Sequence, residues 1–224
     1  MTKLVGALAW PFVVGFVIVR FRPALKSFFD NLGEFSLKGG GFEASAKRQA
    51  AATALAAAVA ARAEPGQQPR SAVKEAHEAK ELVAEAVTPV LLRKAARARV
   101  LWVDDRPENN IYERQSMEAL GVSFAIAKST EEALEKLRSQ EFDLVISDMG
   151  RPPDKTAGYT LLDSLRRSGN TIPFIIYASS NAPEHKAEAR KRGALGTTNH
   201  PSELFEYVLA ALWSKGWSSG SLSG

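Results

Sequence analysis

Five short apolar runs recur through the second half of the chain: "VLWV" (100–103), "FAIA" (124–127), "LVI" (144–146), "FIIY" (174–177) and "LGTT" (195–198). Residues 108–119, 130–138, 158–168, 184–192 and 202–213, which follow these runs in turn, read as helices. Runs this short and this uninterrupted make strands buried on both faces, because a half-exposed strand alternates apolar with polar residues. Covering both faces takes helices, and a helix after each strand also returns the chain to start the next strand in parallel. The pattern predicts an α/β domain, a doubly wound five-stranded parallel sheet, for which 2-1-3-4-5 is one of the common strand orders. At 224 residues the chain has room for that domain and an appendage.

In an open parallel sheet, ligands gather at the carboxyl ends of the strands, near the point where the strand order reverses. The residues there are acidic. "VLWVDDRPENN" sets Asp104 and Asp105 side by side after the first strand, and "FDLVISDMG" ends the third in Asp148. Adjacent like charges cost energy wherever they are partly desolvated. With strands one and three as neighbours, three carboxylates converge, and hard oxygen donors around one spot are what Mg²⁺ requires, with water and a carbonyl completing its shell. Taken singly, each aspartate has a plainer reading: Asp after a strand commonly serves a turn, and Asp105 is placed to cap the following helix.

In the order "VLWVDD", "FDLVISDM", "PFIIYAS", "GALGTTNHP", residues 99–213 resemble the receiver domain of bacterial two-component response regulators, over about half the chain. The resemblance implies a flavodoxin-like fold and a phosphoacceptor at Asp148. It further implies Mg²⁺ held by Asp105, Asp148 and the Gly150 carbonyl, with Asp104 reaching the ion through water. A histidine kinase or phosphotransfer protein would be the phosphoryl donor.

The sequence departs from that family where the phosphoryl group is read. The family's strand-four hydroxyl falls on Ala178, with Ser179 next to it on the alternate face unless the backbone bulges. Its lysine before the proline after strand five is His200, shorter and only partly charged near neutrality, and the aromatic switch position is Thr197. His200 is placed either to donate one hydrogen bond to phosphate or simply to serve the turn. "DMGRPPDKTAGY" puts Gly158 ten residues after Asp148, a longer loop from which Arg151 is placed to offer a cation.

Before the receiver-like part, Leu4–Val19 is a charge-free apolar run bracketed by Lys3 and by Arg20, Arg22 and Lys26. It is read as an uncleaved transmembrane anchor within residues 1–22, somewhat short for a hydrocarbon core of about 30 Å; a cleaved signal peptide is the rival, but "RFRPA" offers no small-x-small cleavage site. The basic flank places the remainder in the cytoplasm, giving a single-pass inner-membrane protein with lipid as a partner. Residues 23–98 are expected to be a juxtamembrane segment and helical stalk. Within it, Gly39–Gly41 mark a hairpin or a joint, Ala44–Ala63 a helix, and Val73, Ala76, Val83, Val87 and Val90 a stripe that suits pairing with a second copy, on a helix that Pro89 should kink or end. Residues 214–224 read as a disordered tail.

Charge narrows the functions. Residues 1–98 hold 14 Lys/Arg against 8 Asp/Glu, whereas residues 99–224 hold 15 against 17. The receiver-like part therefore offers no electrostatic footprint for nucleic acid. Cysteine is absent, excluding disulfides and thiolate metal sites. An aspartyl-nucleophile hydrolase would want D-x-D after the first strand, which "VDDRPE" lacks. The expectation is a membrane-anchored atypical receiver, not an enzyme, that accepts a phosphoryl group on Asp148 and signals through protein contacts. The alternative is a pseudo-receiver whose fold is a phosphorylation-independent scaffold for interaction or oligomerisation.

Overall fold

Apolar side chains at every position of Val100–Val103, Leu144–Ile146 and Phe174–Tyr177 are buried, as strands covered on both faces must be. In the computed structural model, which describes residues 39–62, 69–178 and 182–214, they belong to a five-stranded parallel sheet. Its strands are β1 (Arg99–Val103), β2 (Ser123–Ala127), β3 (Leu144–Ser147), β4 (Phe174–Tyr177) and β5 (Gly196–Thr198), in the order β2-β1-β3-β4-β5. The pairing Val103↔Ser147 brings the carboxyl ends of β1 and β3 together.

Three helices precede the sheet, α1 (Gly39–Ala61), α2 (Pro69–Ala86) and α3 (Pro89–Ala95). The others are α4 (Ile111–Glu118), entered through a 3₁₀ turn at Pro107–Asn110, α5 (Thr130–Ser139), α6 (Ala157–Arg167), α7 (Pro183–Lys191) and α8 (Pro201–Ser214). One face of the sheet, with Leu101, Val103, Val145, Phe174 and Ile176, packs against Ala133, Leu161, Leu162, Leu165 and Ala189 of α5–α7. On the alternate face Trp102 meets Phe124 and Tyr177 edge to face, with ring centres 6.0 and 6.1 Å apart. The helices start where local chemistry allows: the Ser129 hydroxyl accepts from Glu132 N at the head of α5, and Thr88 caps α3 with Pro89 in its first turn.

The chain divides into two compact units, Met1–Ser45 and Ala46–Gly224. The first is described only at 39–45, within α1. The anchor expected at Leu4–Val19 and the tail expected at 214–224, beyond Ser214, lie outside the described residues; among those described, no helix is long and apolar enough to cross a membrane. Gly39–Gly41 form neither hairpin nor joint, since α1 begins at Gly39. Helical hydrogen bonds propagating from the alanine segment outweigh a propensity cost of about 1 kcal/mol per glycine.

The segment expected to stand off as a stalk packs, within the second unit, against the receiver-like part. Ala51, Leu55 and Ala58 of α1 and Ala79, Val83 and Val87 of the α2 region are buried, whereas Val73 and Val90 are exposed. Helices α2 and α3 contact α8, and Lys94 Nζ donates to the Trp213 carbonyl at 2.9 Å while lying 4.7 Å from the Trp213 ring centre. Small alanine side chains supply little volume for a coiled-coil seam but let helices approach closely.

Candidate functional site

Both acid-bearing strands keep their sheet hydrogen bonds one residue past their ends. Asp104 N donates to Ala127 O and Asp148 N to Val103 O, each at 2.9 Å, so the backbone that carries the acids is fixed. Carboxylate oxygens of Asp104, Asp105 and Asp148 come within 4.8 Å of one another. With Gly150, Ala178, Arg62, Arg106, Asn109, Asn110, Pro152 and Tyr177 they line a cavity of about 630 Å³.

Asp104 is 5% exposed and well satisfied. It accepts from Arg106 N at 2.8 Å, Asn110 Nδ2 at 2.6 Å and Trp102 Nε1 at 3.4 Å. The bond from Arg106 N makes Asp104 a turn residue as well as an acid, so the plainer reading holds for it in part. It does not hold for Asp105: neither the 3₁₀ turn nor α4 has a side-chain cap, and Asp105 instead lies 3.8 Å from Arg106 Nε. Asp148 Oδ1 accepts from Met149 N at 2.7 Å, which orients its carboxylate. Burial pushes the Asp148 carboxyl above the usual range; the Met149 N–H opposes this, the Asp104 charge adds to it and the Arg151 charge opposes it. Such a group is poised to gain from a cation.

The loop after β3 is held tightly. Gly158 N donates to Met149 O at 2.9 Å, and a Cβ on Gly158 would lie 2.9 Å from Asp148 O and 3.1 Å from Met149 Cα, so only glycine fits there. Arg151, expected to reach into the cavity, is instead buried in this loop. Its Nη1 donates to Ser147 Oγ and to Asp148 O, both at 2.7 Å, and its Nη2 to Ala157 O at 3.0 Å and Thr130 Oγ1 at 3.1 Å. The lengthened loop leaves carbonyls inside the fold, and a guanidinium with its donor fork is the side chain that can satisfy several at once.

Of the positions at which the phosphoryl group is read, Ala178 lines the cavity and its amide donates to Thr198 O at 3.0 Å. Ser179 lies outside the described residues. Thr197 is buried in β5, paired with Ile176, and is not among the cavity-lining residues. His200 is exposed and also not among them; its amide donates to Thr198 Oγ1 at 3.0 Å, so it serves the turn into α8. That hydroxyl in turn donates to Glu203, which also takes Lys186 Nζ at 2.9 Å.

Arg62, Asn110, Glu113 and Tyr177 have no counterpart among the expected site residues. Glu113 is 2% exposed, and its Oε1 accepts from Tyr177 Oη at 2.9 Å and from Arg62 Nε at 3.3 Å. Burial, and then the Glu113 charge, push the Tyr177 phenol strongly upward, so it stays a donor. Glu113 was visible in principle: with Ser116, Met117 and Leu120 it falls at i, i+3, i+4 and i+7, a carboxylate on the buried stripe of a helix. For Arg62 no local pattern exists, because its side-chain partners Asn110 and Glu113 lie 48 and 51 residues on and Tyr177 further still.

Residues 100–208 match the family model of the response regulator receiver domain, and this part of the chain is such a domain. Among curated relatives, the gliding motility regulatory protein of Myxococcus xanthus is 36% identical over 102 residues, 45% of this chain and 13% of that protein. The transcriptional regulatory protein ZraR of Escherichia coli K12 is 31% identical over 113 residues, 50% of this chain and 25% of that one. The chain thus spans a quarter or less of the length of these two relatives. Among solved structures, the chemotaxis response regulator CheY4 of Vibrio cholerae is 25% identical with a TM-score of 0.45, covering 51% of this chain and 98% of that one. A Francisella response regulator receiver domain is 23% identical with a TM-score of 0.47, covering 53% and 98%.

Proposed function

We propose that this protein is a signalling receiver that accepts a phosphoryl group on Asp148 from a histidine kinase or phosphotransfer protein and passes the signal on by protein contacts. The observation that carries the reading is the convergence of three carboxylates within 4.8 Å at the ends of neighbouring strands. A cluster of hard oxygen donors fits Mg²⁺, with Asp104, Asp105, Asp148 and the Gly150 carbonyl as its holders. When bound, the ion would offset the carboxylate charges and those on the transferring oxygens.

The chain's own part is positioning. Met149 N–H fixes the Asp148 carboxylate, and Asn110, Trp102 and the Arg106 amide fix Asp104. An Asp148 oxygen attacks phosphorus, the new O–P bond forms as the donor's P–N bond breaks, and the imidazole leaves with that electron pair and takes up a proton. One phosphoryl group is held per chain, so the protein is a switch and not an enzyme. Anchoring through Leu4–Val19, with the receiver on the cytoplasmic side of the inner membrane, belongs to the same proposal. So do lipid contact by the basic flank and any pairing of two copies.

A second reading, a phosphorylation-independent interaction or oligomerisation scaffold, is favoured by Ala178 in place of the hydroxyl and by His200 standing outside the cavity. Labelling of the full chain by phosphoramidate or acetyl phosphate in Mg²⁺ separates the two. The receiver reading expects one phosphoryl group on Asp148, held as an acyl phosphate that alkali and hydroxylamine cleave; no label selects the scaffold.

A further inference from the structure

Arg62 stands where α1 ends, on the rim of the acid cavity, and its side chain reaches partners far away in sequence. Its Nε donates to Glu113 Oε1 at 3.3 Å, its Nη2 donates to Asn110 Oδ1, and its guanidinium carbon lies 4.9 Å from the centre of the Tyr177 ring. Asn110 then donates to Asp104 at 2.6 Å. One guanidinium thereby joins α1 to α4, to the 3₁₀ turn and to β4, a single side chain away from an acid of the cluster. Its side chain keeps 36% exposure, so it is held in place without being sealed off.

Among the described residues, few other cations are available to an anion in this cavity. Arg151 is spent on buried loop oxygens, and His200 is not among the lining residues. Arg106 lines the cavity, but its side chain is 72% exposed and lies beside Asp105. Arg62 alone of the lining cations is fixed by buried partners. A guanidinium matches the paired oxygens of a phosphoryl group and, unlike histidine, is charged at every working pH.

We propose that Arg62 contacts the anionic occupant of the acid cavity, a phosphoryl group on Asp148 or its fluoroberyllate analogue, and that the docking of α1 is thereby coupled to occupancy. The inference rests on reading Asp148 as the phosphoacceptor. It supplies what Ala178, Thr197 and His200 do not, a contact that differs between the empty and occupied states, without which occupancy shifts no equilibrium. Coupling is reciprocal, so occupancy tightens α1 and docking of α1 favours occupancy.

The test uses the full chain, with fluoroberyllate plus Mg²⁺ as the occupant and Mn²⁺ alone as the control. Arg62→Gln keeps a donor for Asn110 but loses the charge. It should bind fluoroberyllate about tenfold more weakly while its Mn²⁺ affinity stays within about twofold of wild type, and Arg62→Lys should fall between. Hydrogen exchange across residues 46–62 should slow when wild type takes up fluoroberyllate and should not respond in Arg62→Gln. Fluoroberyllate affinity unchanged in Arg62→Gln, a parallel loss of Mn²⁺ affinity, or exchange in wild type indifferent to the occupant would each overturn the coupling. Wild type that takes up Mn²⁺ but no fluoroberyllate would instead bring down the phosphoacceptor reading, and this inference with it.

Discussion

The rim of the sheet at β1 and β3 and the rim at β4 and β5 lie along the same edge, yet they keep different things. The first has the three clustered acids, Asp104 and Asp148 held by backbone or buried donors and Asp105 beside the Arg106 side chain. The second has Ala178 where a hydroxyl is expected, Thr197 buried at the switch position and His200 in a turn. Under the proposed function, the contrast separates two tasks, holding an ion and reading an occupant. Here the reading task has a candidate in side chains from outside the core receiver pattern, Arg62 above all, backed by Glu113 and Tyr177.

The most severe way to break the comparison is at the acid rim. Asp148→Asn should abolish labelling by phosphoramidate, read by mass spectrometry of intact protein, while leaving the urea midpoint close to wild type. Next comes Gly158→Val. Its Cβ would sit 2.9 Å from a backbone oxygen with no flexible neighbour to give way, and forcing the loop apart should cost about 2–3 kcal/mol in urea unfolding. Tyr177→Phe removes a donor from buried Glu113 but leaves Arg62 in place, so the loss should be about 1 kcal/mol, with a faster opening of residues 46–62 in hydrogen exchange.

At the other rim the effects are smaller and sharpen the contrast. Ala178→Thr adds a hydroxyl at the cavity wall and should change the lifetime of a phosphoryl label severalfold without altering Mn²⁺ affinity. Glu203 gives a pH test. Burial pushes its carboxyl up, but the Thr198 hydroxyl and Lys186 outweigh that, leaving it below the usual range. A carboxyl lowered on folding contributes stability above its unfolded value, and loses that contribution as pH falls through its folded value. Wild type should therefore lose more stability than Glu203→Gln as acid titrates the carboxylates, with the difference vanishing once both states are protonated.

Much of this was legible in the sequence because burial on both faces leaves uninterrupted apolar runs: β1, β3 and β4 fall within a residue of "VLWV", "LVI" and "FIIY". The acid rim was legible too, since strand order alone brings Asp104, Asp105 and Asp148 together. What was hidden depended on long-range geometry. Arg151 reads as a free cation in a loop until the loop's own carbonyls are seen to claim it. The alanine-rich α1 reads as a weak packer, and its burial of Leu55 and delivery of Arg62 appear only once the receiver surface is folded beneath it.

The measurement that bears most directly on the central claim is calorimetric titration of the full chain with Mg²⁺ or Mn²⁺. A single saturable site that disappears in Asp105→Asn is the outcome predicted by three acids gathered to hold one ion. Heats no different from buffer, or a site indifferent to that substitution, would contradict it.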